Sequence, residues 1–239
     1  MGDTLADRNK TYFKQAAELY KQKFVQDGQK QISEFLAGHE DWIGVQPPRE
    51  ARQTKLMDYA CGSGVVSRTL HHLFSKCIGV DLSDAMLDQY RETAAELDLD
   101  ESRMMAIQGD LCAPEVKPTN PAVSDEELSG FDLVAISLAL HHIEDIDLAV
   151  KRLAERLRPG GVLLIIDGAS TGEAENSGMS APPGHPAAHT ISHSSVTQDQ
   201  IFRLYEQAGC GESQFVLADR LSDIPGGKMR MFFSRATKL

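Results

Sequence analysis

The residues of this chain best suited to bind a nucleotide lie in a glycine-rich segment at positions 55–64. Its first half is apolar enough for a buried parallel strand, whereas Gly62 and Gly64 supply backbone that turns sharply and approaches a ligand closely. Apolar side chains then recur at helical spacing over residues 65–73, so the turn leads into a helix N-terminus. The order of strand, glycine turn and helix predicts a nucleotide site.

An acidic residue follows where such a site needs one. A second strand is predicted over residues 77–80 and ends at Asp81. This is roughly 20 residues beyond the glycine turn, the usual distance in a βαβ nucleotide fold. A carboxylate at that position accepts hydrogen bonds from ribose hydroxyl groups, so Asp81 strengthens the prediction of a nucleotide site.

Five short motifs occur in the order and spacing of a known family. They are Asp58-x-Ala60-x-Gly62-x-Gly64, Gly79-Val80-Asp81-Leu82-Ser83, Gln108-Gly109-Asp110-Leu111, Phe131-Asp132-Leu133-Val134 and Leu157-Arg158-Pro159-Gly160-Gly161. Over residues 55–167, about half of its length, the chain resembles the class I (Rossmann-like) S-adenosylmethionine-dependent methyltransferases of the small-molecule type. One departure is Ala60, where the family more often has glycine. We expect a slightly tighter fit beside the cofactor and no loss of binding.

The resemblance implies an α/β fold with a seven-stranded, mostly parallel sheet, helices on both faces, a C-terminal antiparallel hairpin and an N-terminal helical cap. At 239 residues and 41 % hydrophobic composition, the chain is too short for two domains of ordinary size, so we predict one. Its expected parts are a helical cap with connector (1–53), a cofactor-binding core (54–167), a lid loop (168–195), and a C-terminal helix with hairpin (196–239).

The resemblance also implies S-adenosylmethionine as the cofactor. The residues expected to bind it are Tyr20, Asp58, Ala60, Gly62, Gly64, Asp81, Leu82, Met86, Asp110, Leu111 and Ser137. In this assignment Leu82 and Met86 lie beneath the adenine, and Asp110 accepts a hydrogen bond from its amino group. Alternatives stay open for three of them: Tyr20 and Met86 also suit core packing, and Asp110 also suits the capping of a turn.

Histidines are the candidates for catalysis. His141 and His142 follow the predicted fourth strand, and adjacent side chains point in different directions, so at most one reaches the reacting centre; His142 is our candidate. His193 is the second candidate, because an imidazole with a pKa near 6.5 can orient or deprotonate a substrate hydroxyl at neutral pH. For the pair after strand four, a hydrogen-bonded structural histidine is the alternative.

A second arrangement of histidines suggests a metal site at first sight. His185, His189 and His193 are spaced four apart, which would align them on a helix. Pro186 and the glycines and prolines around it argue against a continuous helix there, and no cysteine or carboxylate completes the set. We therefore predict no metal.

Composition and net charge indicate which classes of binding partner the protein is expected to have. A formal net charge of −11 is the opposite of the basic surface that neutralises nucleic-acid phosphates. No apolar run approaches the ~20 residues of a membrane helix, no signal segment is recognised, and the four cysteines lack C-x-x-C spacing. We predict a cytoplasmic protein with reduced thiols, a small-molecule substrate, and no nucleic-acid or membrane partner; its oligomeric state stays open.

Three functions fit these motifs. The first is transfer of a methyl group by in-line displacement to an O-, S- or N-nucleophile of a small molecule, in which positioning does most of the work. The second is a nicotinamide-dependent oxidoreductase, which Ser67 disfavours because it stands where Gly-x-Gly-x-x-Gly has its third glycine. The third is a non-catalytic S-adenosylmethionine-binding partner protein, which would carry the same motifs.

Overall fold

A computed structural model describes residues 4–15, 20, 22–45, 53–112, 121–169, 187–193, 195–225 and 227–239. The strands are β1 (Lys55–Tyr59), β2 (Lys76–Asp81), β3 (Met104–Gln108), β4 (Phe131–Ser137), β5 (Leu157–Gly168), β6 (Cys210–Ile224) and β7 (Gly227–Lys238). They form one seven-stranded sheet in the order β3-β2-β1-β4-β5-β7-β6.

The direction of the strands confirms the predicted mostly parallel sheet and C-terminal hairpin. The first five strands are parallel, and β7 is antiparallel to both of its neighbours, β5 and β6. The order reverses between β1 and β4, because the chain first builds outward to β3 and then continues on the other side of β1. Such a reversal leaves a crevice at the carboxyl ends of the strands, where open α/β sheets bind ligands.

Helices cover both faces of this sheet, as expected. They are α1 (Leu5–Gln15), α2 (Lys23–Gly38), α3 (Glu40–Ile43), α4 (Val65–Leu70), α5 (Asp84–Glu96), α6 (Ile146–Glu155) and α7 (Gln198–Gln207). Successive residues of a strand point to opposite faces, so Leu56 packs in the hydrophobic cluster of α2 to α5, and Met57 in that of α6 and α7. No helix in the described part of the chain is both long and apolar enough to cross a membrane.

At residues 157–161 the observed elements differ from those that the sequence predicts. The sequence suggests that Pro159, Gly160 and Gly161 close the helix before strand five, whereas α6 ends at Glu155 and β5 already begins at Leu157. These residues instead form an irregularity within the strand. Gly160 has a φ of +75°, and a Cβ on Gly161 would lie 2.7 Å from a backbone oxygen of β4. Both positions therefore require glycine.

The predicted lid, residues 168–195, is described only at its two ends. Gly168 closes β5, Ala169 forms a bridge with Val196, and residues 187–193 contain a short 3-10 turn at Ala188–Thr190. Residues 170–186 and 194 lie outside the described residues. For the hairpin, the apolar runs predict strands over residues 213–218 and 229–234. β6 and β7 extend beyond these ranges at both ends, and β6 forms the edge of the sheet.

Candidate active site

A cavity of about 350 Å³ opens at the carboxyl ends of the strands, next to the reversal between β1 and β4. Its walls come from the turns after β1 to β5, from α1 and α2, and from the end of the hairpin. This is the place where open α/β sheets bind ligands, and each group in it is described below by the element that positions it.

The turn after β1 takes left-handed backbone at three alternate positions, with φ of +52° at Ala60, +51° at Gly62 and +80° at Gly64. Such backbone costs a residue with a Cβ about 1–2 kcal/mol, so Ala60 is strained. A Cβ on Gly62 would lie 2.8 Å from the Tyr20 hydroxyl oxygen, and one on Gly64 would lie 2.7 Å from the Tyr90 ring. Packing thus requires both glycines.

Asp81 holds this turn to the end of β2. Its Oδ2 accepts a hydrogen bond from the Gly62 N–H at 3.0 Å, and its Oδ1 accepts one from the Ser83 N–H at 2.9 Å. Burial raises the pKa of Asp81, and these backbone N–H groups act in the opposite direction by stabilising its charge. A carboxylate has about four acceptor positions, so Asp81 can also accept hydrogen bonds from a ligand in the cavity that it lines.

Four further residues expected at the cofactor, Tyr20, Leu82, Met86 and Ser137, are placed at the cavity wall. Burial is the main cause that raises the pKa of Tyr20, and the nearby charge of Asp81 adds to it. The phenol of Tyr20 therefore stays protonated and is a hydrogen-bond donor beside the carboxylate.

Asp58 and Leu111 lie behind the wall. Oδ2 of Asp58 accepts hydrogen bonds from the N–H and the hydroxyl of Ser67, at 3.1 Å and 2.9 Å, and so fixes the first turn of α4. Burial raises the pKa of Asp58 to about 7, with the hydrogen bonds from Ser67 acting against it. The side chain of Leu111 is fully buried in the core. Both contacts support the cavity rather than line it.

Asp110 makes the contacts of a turn-capping residue. Its Oδ1 accepts hydrogen bonds from the Tyr59 hydroxyl at 3.0 Å and from the Cys112 N–H at 2.8 Å. It does not line the cavity, whereas the adjacent Gly109 does. If Asp110 accepts a hydrogen bond from the adenine amino group, it must use Oδ2. This contact stays a prediction.

A histidine and an aspartate meet in the same cavity. His141 follows β4, and Asp167 lies at the end of β5, so neighbouring parallel strands bring them together. The imidazole Nδ1 is 2.7 Å from Asp167 Oδ1, and the backbone N–H of His141 donates to Oδ2 at 3.2 Å. This pairing fixes the proton on Nδ1 and leaves Nε2 as the nitrogen that gains or loses a proton.

Charge and burial compete at this pair. Burial lowers the pKa of His141, but the charge of Asp167 and its hydrogen bond outweigh burial, so the pKa lies above its ordinary value. Burial raises the pKa of Asp167, but the same histidine and two backbone N–H groups outweigh it, so this pKa is lowered. The carboxylate therefore stays charged and makes its partner a stronger base.

The two histidines proposed from the sequence are placed differently. His142 lines the cavity, where its Nδ1 is 2.9 Å from the Thr190 carbonyl oxygen and its ring packs edge-on against Phe13. His193 does not line this cavity; it is partly exposed, with Nε2 3.3 Å from the Glu144 carbonyl oxygen. The geometry favours His142 over His193 for contact with a ligand, and both roles stay predictions.

Helix α1 covers the cavity on this side. Nδ2 of Asn9 donates to the His142 carbonyl at 2.8 Å, and Nε of Arg8 donates to the His189 carbonyl at 3.0 Å. The N-terminal cap is thus tied both to the end of β4 and to the described end of the predicted lid.

The histidines considered for a metal are not assembled in the described residues. His189 packs edge-on against Tyr12 instead, and His185 lies outside the residues that the structure describes. Within that part of the chain, no group of three or more His, Cys, Asp or Glu side chains is arranged to hold a metal ion. All four cysteines are free thiols.

Comparison with known sequences points to one enzyme family. A methyltransferase-domain profile matches residues 57–163. An uncharacterized methyltransferase of Schizosaccharomyces pombe is 26 % identical over 185 residues, which cover 76 % of this chain and 62 % of the relative. A ubiquinone biosynthesis O-methyltransferase of Chelativorans sp. is 24 % identical over 121 residues, which cover 49 % of this chain and 43 % of the relative. The chain therefore spans between 43 % and 62 % of the length of these curated relatives.

Solved structures show the same fold. The magnesium protoporphyrin IX methyltransferase of Synechocystis PCC 6803, solved with bound SAH, has a TM-score of 0.68 at 14 % identity, over 99 % of this chain and 100 % of that one. The phosphoethanolamine N-methyltransferase 2 of Haemonchus contortus, in complex with S-adenosyl-L-methionine, has a TM-score of 0.55 at 17 % identity, over 84 % of this chain and 52 % of that one. The chain therefore contains a methyltransferase domain and has the fold of S-adenosylmethionine-dependent methyltransferases.

The residues that line the cavity fit S-adenosylmethionine. Ser83 and Ser137 line the cavity, and their hydroxyl groups are buried without a hydrogen-bond partner among the described residues. Unsatisfied buried hydroxyls are uncommon in native proteins, and a ligand rich in hydroxyl, amino and carboxylate groups would supply their partners. Asp81 is a hydrogen-bond acceptor in the same wall, and Leu82 and Met86 are apolar. Their assignment to the ribose and the base of the cofactor stays a prediction.

Part of the candidate site was not found from the sequence. The pairing of His141 with Asp167 had a signal, since both residues follow neighbouring parallel strands that end at one edge of the sheet. Asn9 and two methionines of the wall, Met229 and Met231, had none. They belong to elements far from the motifs in the sequence, and only the fold brings them to the cavity.

Proposed function

We propose that the protein transfers a methyl group from S-adenosylmethionine to a hydroxyl group of a small molecule. The observation that carries this proposal is the contact between His141 and Asp167, at 2.7 Å, in the cavity that Asp81 also lines. A hydroxyl must lose a proton when it becomes a methyl ether, and a histidine with a raised pKa is suited to accept it. The O-methyltransferases among the relatives agree with a hydroxyl acceptor.

The cofactor supplies an activated methyl group on a sulfonium, so the protein needs to bind, orient and exclude water. Asp81 would accept hydrogen bonds from the ribose, Tyr20 would donate beside it, and Met86 would pack against the base. Positioning of the two reactants at near-attack distance can supply on the order of 7–11 kcal/mol of the barrier. Most of the rate enhancement would therefore come from the walls of the cavity.

Removal of the proton would then fall to His141. Its Nδ1–H is held by Asp167, so the proton of the acceptor hydroxyl goes to Nε2, and the resulting imidazolium is stabilised by the carboxylate. The adjacent His142 and the more distant His193 remain candidates for the same step. Each can be tested separately, since the three side chains make different contacts.

The first experiment is calorimetric titration of the protein with S-adenosylmethionine and, separately, with NAD. We expect micromolar binding of the first and none of the second. Transfer of a labelled methyl group to a panel of small phenols, acids, thiols and amines then separates an enzyme from a non-catalytic cofactor-binding protein. Binding without transfer to any member of the panel would contradict the proposed function.

The matched variants are His141→Asn and His193→Asn. The asparagine amide at position 141 can still donate to Asp167 but has no counterpart of Nε2, so turnover should fall by about 10²–10⁴-fold while the cofactor affinity is unchanged. The same change at position 193 should leave turnover within about threefold, because that side chain lies outside the cavity. If His193→Asn lowers turnover strongly and His141→Asn does not, His193 and not His141 is the base.

A further inference from the structure

One wall of the cavity carries no charge. It is formed by Val25, Ile32, Ile224, Met229 and Met231. In the ladder between β5 and β7, Met231 lies opposite Gly168, one residue beyond Asp167. The apolar wall therefore adjoins the end of β5, where Asp167 holds His141.

Strand β7 turns its basic residue away from this wall. Residues two apart on a strand share a face, so Met229 and Met231 face the cavity and Arg230 faces the other way. Nη1 of Arg230 donates to the Ala218 carbonyl at 2.6 Å on β6. Its guanidinium is thereby held to the neighbouring strand of the hairpin.

Polar side chains at the edge of the wall already have partners. The Ser222 hydroxyl donates to Gln31 Oε1 at 2.6 Å, and Asp223 forms an ion pair with Lys228 at 2.6 Å. A molecule placed against the methionines would therefore meet apolar surface and few groups in need of a hydrogen bond.

The charged residues around the cavity also disfavour an anion. Asp81, Asp167 and Asp223 line it, and Lys10 of α1, which is exposed, is the one Lys or Arg among the lining residues that the structure describes. Proteins that bind a carboxylate or phosphate usually provide Arg or Lys for charge-assisted hydrogen bonds. Burial of an anion here, beside acids and methionines, would be unfavourable.

We infer that the acceptor is an uncharged phenol whose apolar body packs against Met229 and Met231 while its hydroxyl meets Nε2 of His141. The inference rests on the proposed function and narrows it to a substrate class. Thioether sulfurs make favourable contacts with aromatic rings. A phenol has a pKa near 10, as tyrosine has, and so comes closest among neutral hydroxyls to what an imidazole can deprotonate.

The atoms of the reaction balance without a further reactant. The phenolic oxygen forms a bond to the methyl carbon while the bond from that carbon to sulfur breaks, and its electron pair stays on sulfur. The proton of the phenol moves to Nε2 of His141 and later to water. The products are an uncharged methyl ether and a thioether.

Three phenols of similar size test the inference: 4-propylphenol, which is uncharged, 3-(4-hydroxyphenyl)propionate, which is an anion, and tyramine, which is a cation. We expect kcat/KM to be at least about tenfold higher for 4-propylphenol than for either of the others, since a charge must be buried or left unpaired. A higher value for the anion or the cation, or equal values for all three, would overturn the inference.

Three variants examine the cause of the preference. Met229→Lys places a cation in the wall and should raise the relative kcat/KM of the propionate at least about tenfold, whereas the apolar control Met229→Leu should keep the wild-type preference. Lys10→Ala should not alter the ratio between the three acceptors. If Lys10→Ala changes the ratio and Met229→Lys does not, charge recognition lies on α1 and the proposed wall is wrong.

Binding measured without turnover separates this inference from the proposed function. Calorimetry of the protein saturated with S-adenosylhomocysteine should show binding of 4-propylphenol at least about tenfold tighter than binding of the propionate. Preferential binding without methyl transfer would support the substrate class and contradict the enzyme. Methyl transfer with no preference, or no binding of any of the three phenols, would contradict the substrate class.

Discussion

The two halves of the cavity, which we propose bind the cofactor and the acceptor, are built in different ways. The cofactor half, from Ala60 to Met86, is one continuous segment that contains the turn after β1, then α4, β2 and the start of α5. Within this segment, Asp81 accepts a hydrogen bond from the Gly62 N–H. The acceptor half is assembled from α1, α2, the ends of β4 and β5, and the hairpin, which lie far apart in the sequence. Local sequence therefore dictates the first half, whereas the second depends on the whole fold.

The two halves also differ in the partners and in the pKa shifts of their buried aspartates. The carboxylate of Asp81 takes backbone N–H donors from its own turn, and burial raises its pKa. Asp167 takes its charged partner from a different strand, and its pKa is lowered. A change in one half should consequently affect cofactor affinity, and a change in the other should affect turnover and its pH dependence.

The strongest test of this separation is Asp167→Asn. The amide can still accept the Nδ1–H of His141, but without the negative charge the raised pKa of this histidine falls. A base must be unprotonated to act, so turnover rises with pH through the pKa of His141, and the variant should shift this limb to lower pH. We expect turnover on the alkaline plateau to fall by roughly 10–1,000-fold, because the imidazolium loses its stabilising carboxylate.

The measurement is the pH profile of kcat together with the cofactor affinity, which should be unchanged. Asp223→Asn is the control, since Asp223 pairs with Lys228 at the edge of the cavity and does not contact His141. If Asp167→Asn leaves the acid limb in place, the titrating group is not His141. If it weakens cofactor binding as much as turnover, the two halves are not separate.

Asp81→Asn examines the other half. The amide would turn a donor toward the N–H of Gly62 or of Ser83 and offer fewer acceptors to the ribose. Hydrogen bonds to a charged group contribute about 1.5–3 kcal/mol, so we expect the dissociation constant for S-adenosylmethionine to rise about 10–100-fold. Turnover at saturating cofactor should be much less affected.

Calorimetry of Asp81→Asn beside Asp84→Asn provides the comparison. Asp84 is an exposed residue in the first turn of α5, three positions away, and its change should leave the affinity within about twofold. Equal losses in the two variants would mean that the general negative charge, and not the carboxylate in the turn, is what the cofactor requires.

The same contrast explains what could be predicted from the sequence. The strands of the sheet, the hairpin and the glycine turn follow from apolar runs and turn residues within short windows, and all of them were predicted. The bounds of β5 and of the two hairpin strands were less accurate, since these strands extend beyond the predicted ranges. Asp58 was assigned to the cofactor because it belongs to the motif, but its contacts are with Ser67. The motif indicates that an acidic residue is needed near the turn, but it does not indicate in which direction the side chain points.

The acceptor half could not be predicted to the same degree. His141 and His142 were recognised as a pair, yet the sequence does not tell which of them faces a partner, and Asp167 was seen only as the end of a strand. Met229 and Met231 carried no pattern that distinguishes a cavity wall from ordinary core. Such residues acquire a function only from the register of β7 on β5, which is a property of the tertiary structure.

A pH dependence of stability should come from Asp58, which lies behind the cofactor half. The pKa of Asp58 is raised from 3.8 to about 7 by burial, so the native state binds more protons than the unfolded state between these values. The stabilisation is complete below pH 3.8 and is lost as pH rises through about 7. The free energy of unfolding should therefore fall between pH 5 and 8 by about 1–3 kcal/mol.

Urea denaturation at several pH values tests this expectation against Asp58→Asn. The variant cannot titrate, so its curve should be flatter, with a remaining slope of the same sign from Asp81, whose pKa is also raised. Parallel curves for the two proteins would show that Asp58 does not carry the effect. A rise in wild-type stability with pH would contradict the direction of the shift.

The smallest expected effect concerns the backbone of Ala60, which has a φ of +52°. Glycine avoids the steric cost of about 1–2 kcal/mol for a Cβ in this conformation, but it loses more entropy on folding, by about 0.5–1 kcal/mol. Ala60→Gly should therefore raise the free energy of unfolding by about 0.5–1 kcal/mol. Since Ala60 also lines the cavity, the affinity for S-adenosylmethionine shows whether its Cβ crowds the cofactor.

Asp98→Gly is the matched control for Ala60→Gly, because Asp98 has a φ of +55° and is exposed at the end of α5, away from the cavity. Both variants should gain stability, with the smaller gain at Asp98, since aspartate tolerates left-handed backbone better than alanine does. We expect the cofactor affinity of Ala60→Gly to stay within about threefold of the wild type, as a single methyl group allows. If only Asp98→Gly is stabilised, the left-handed conformation of residue 60 does not cost stability. If Ala60→Gly also binds S-adenosylmethionine more tightly than the wild type, the methyl group of Ala60 limits the affinity for the cofactor.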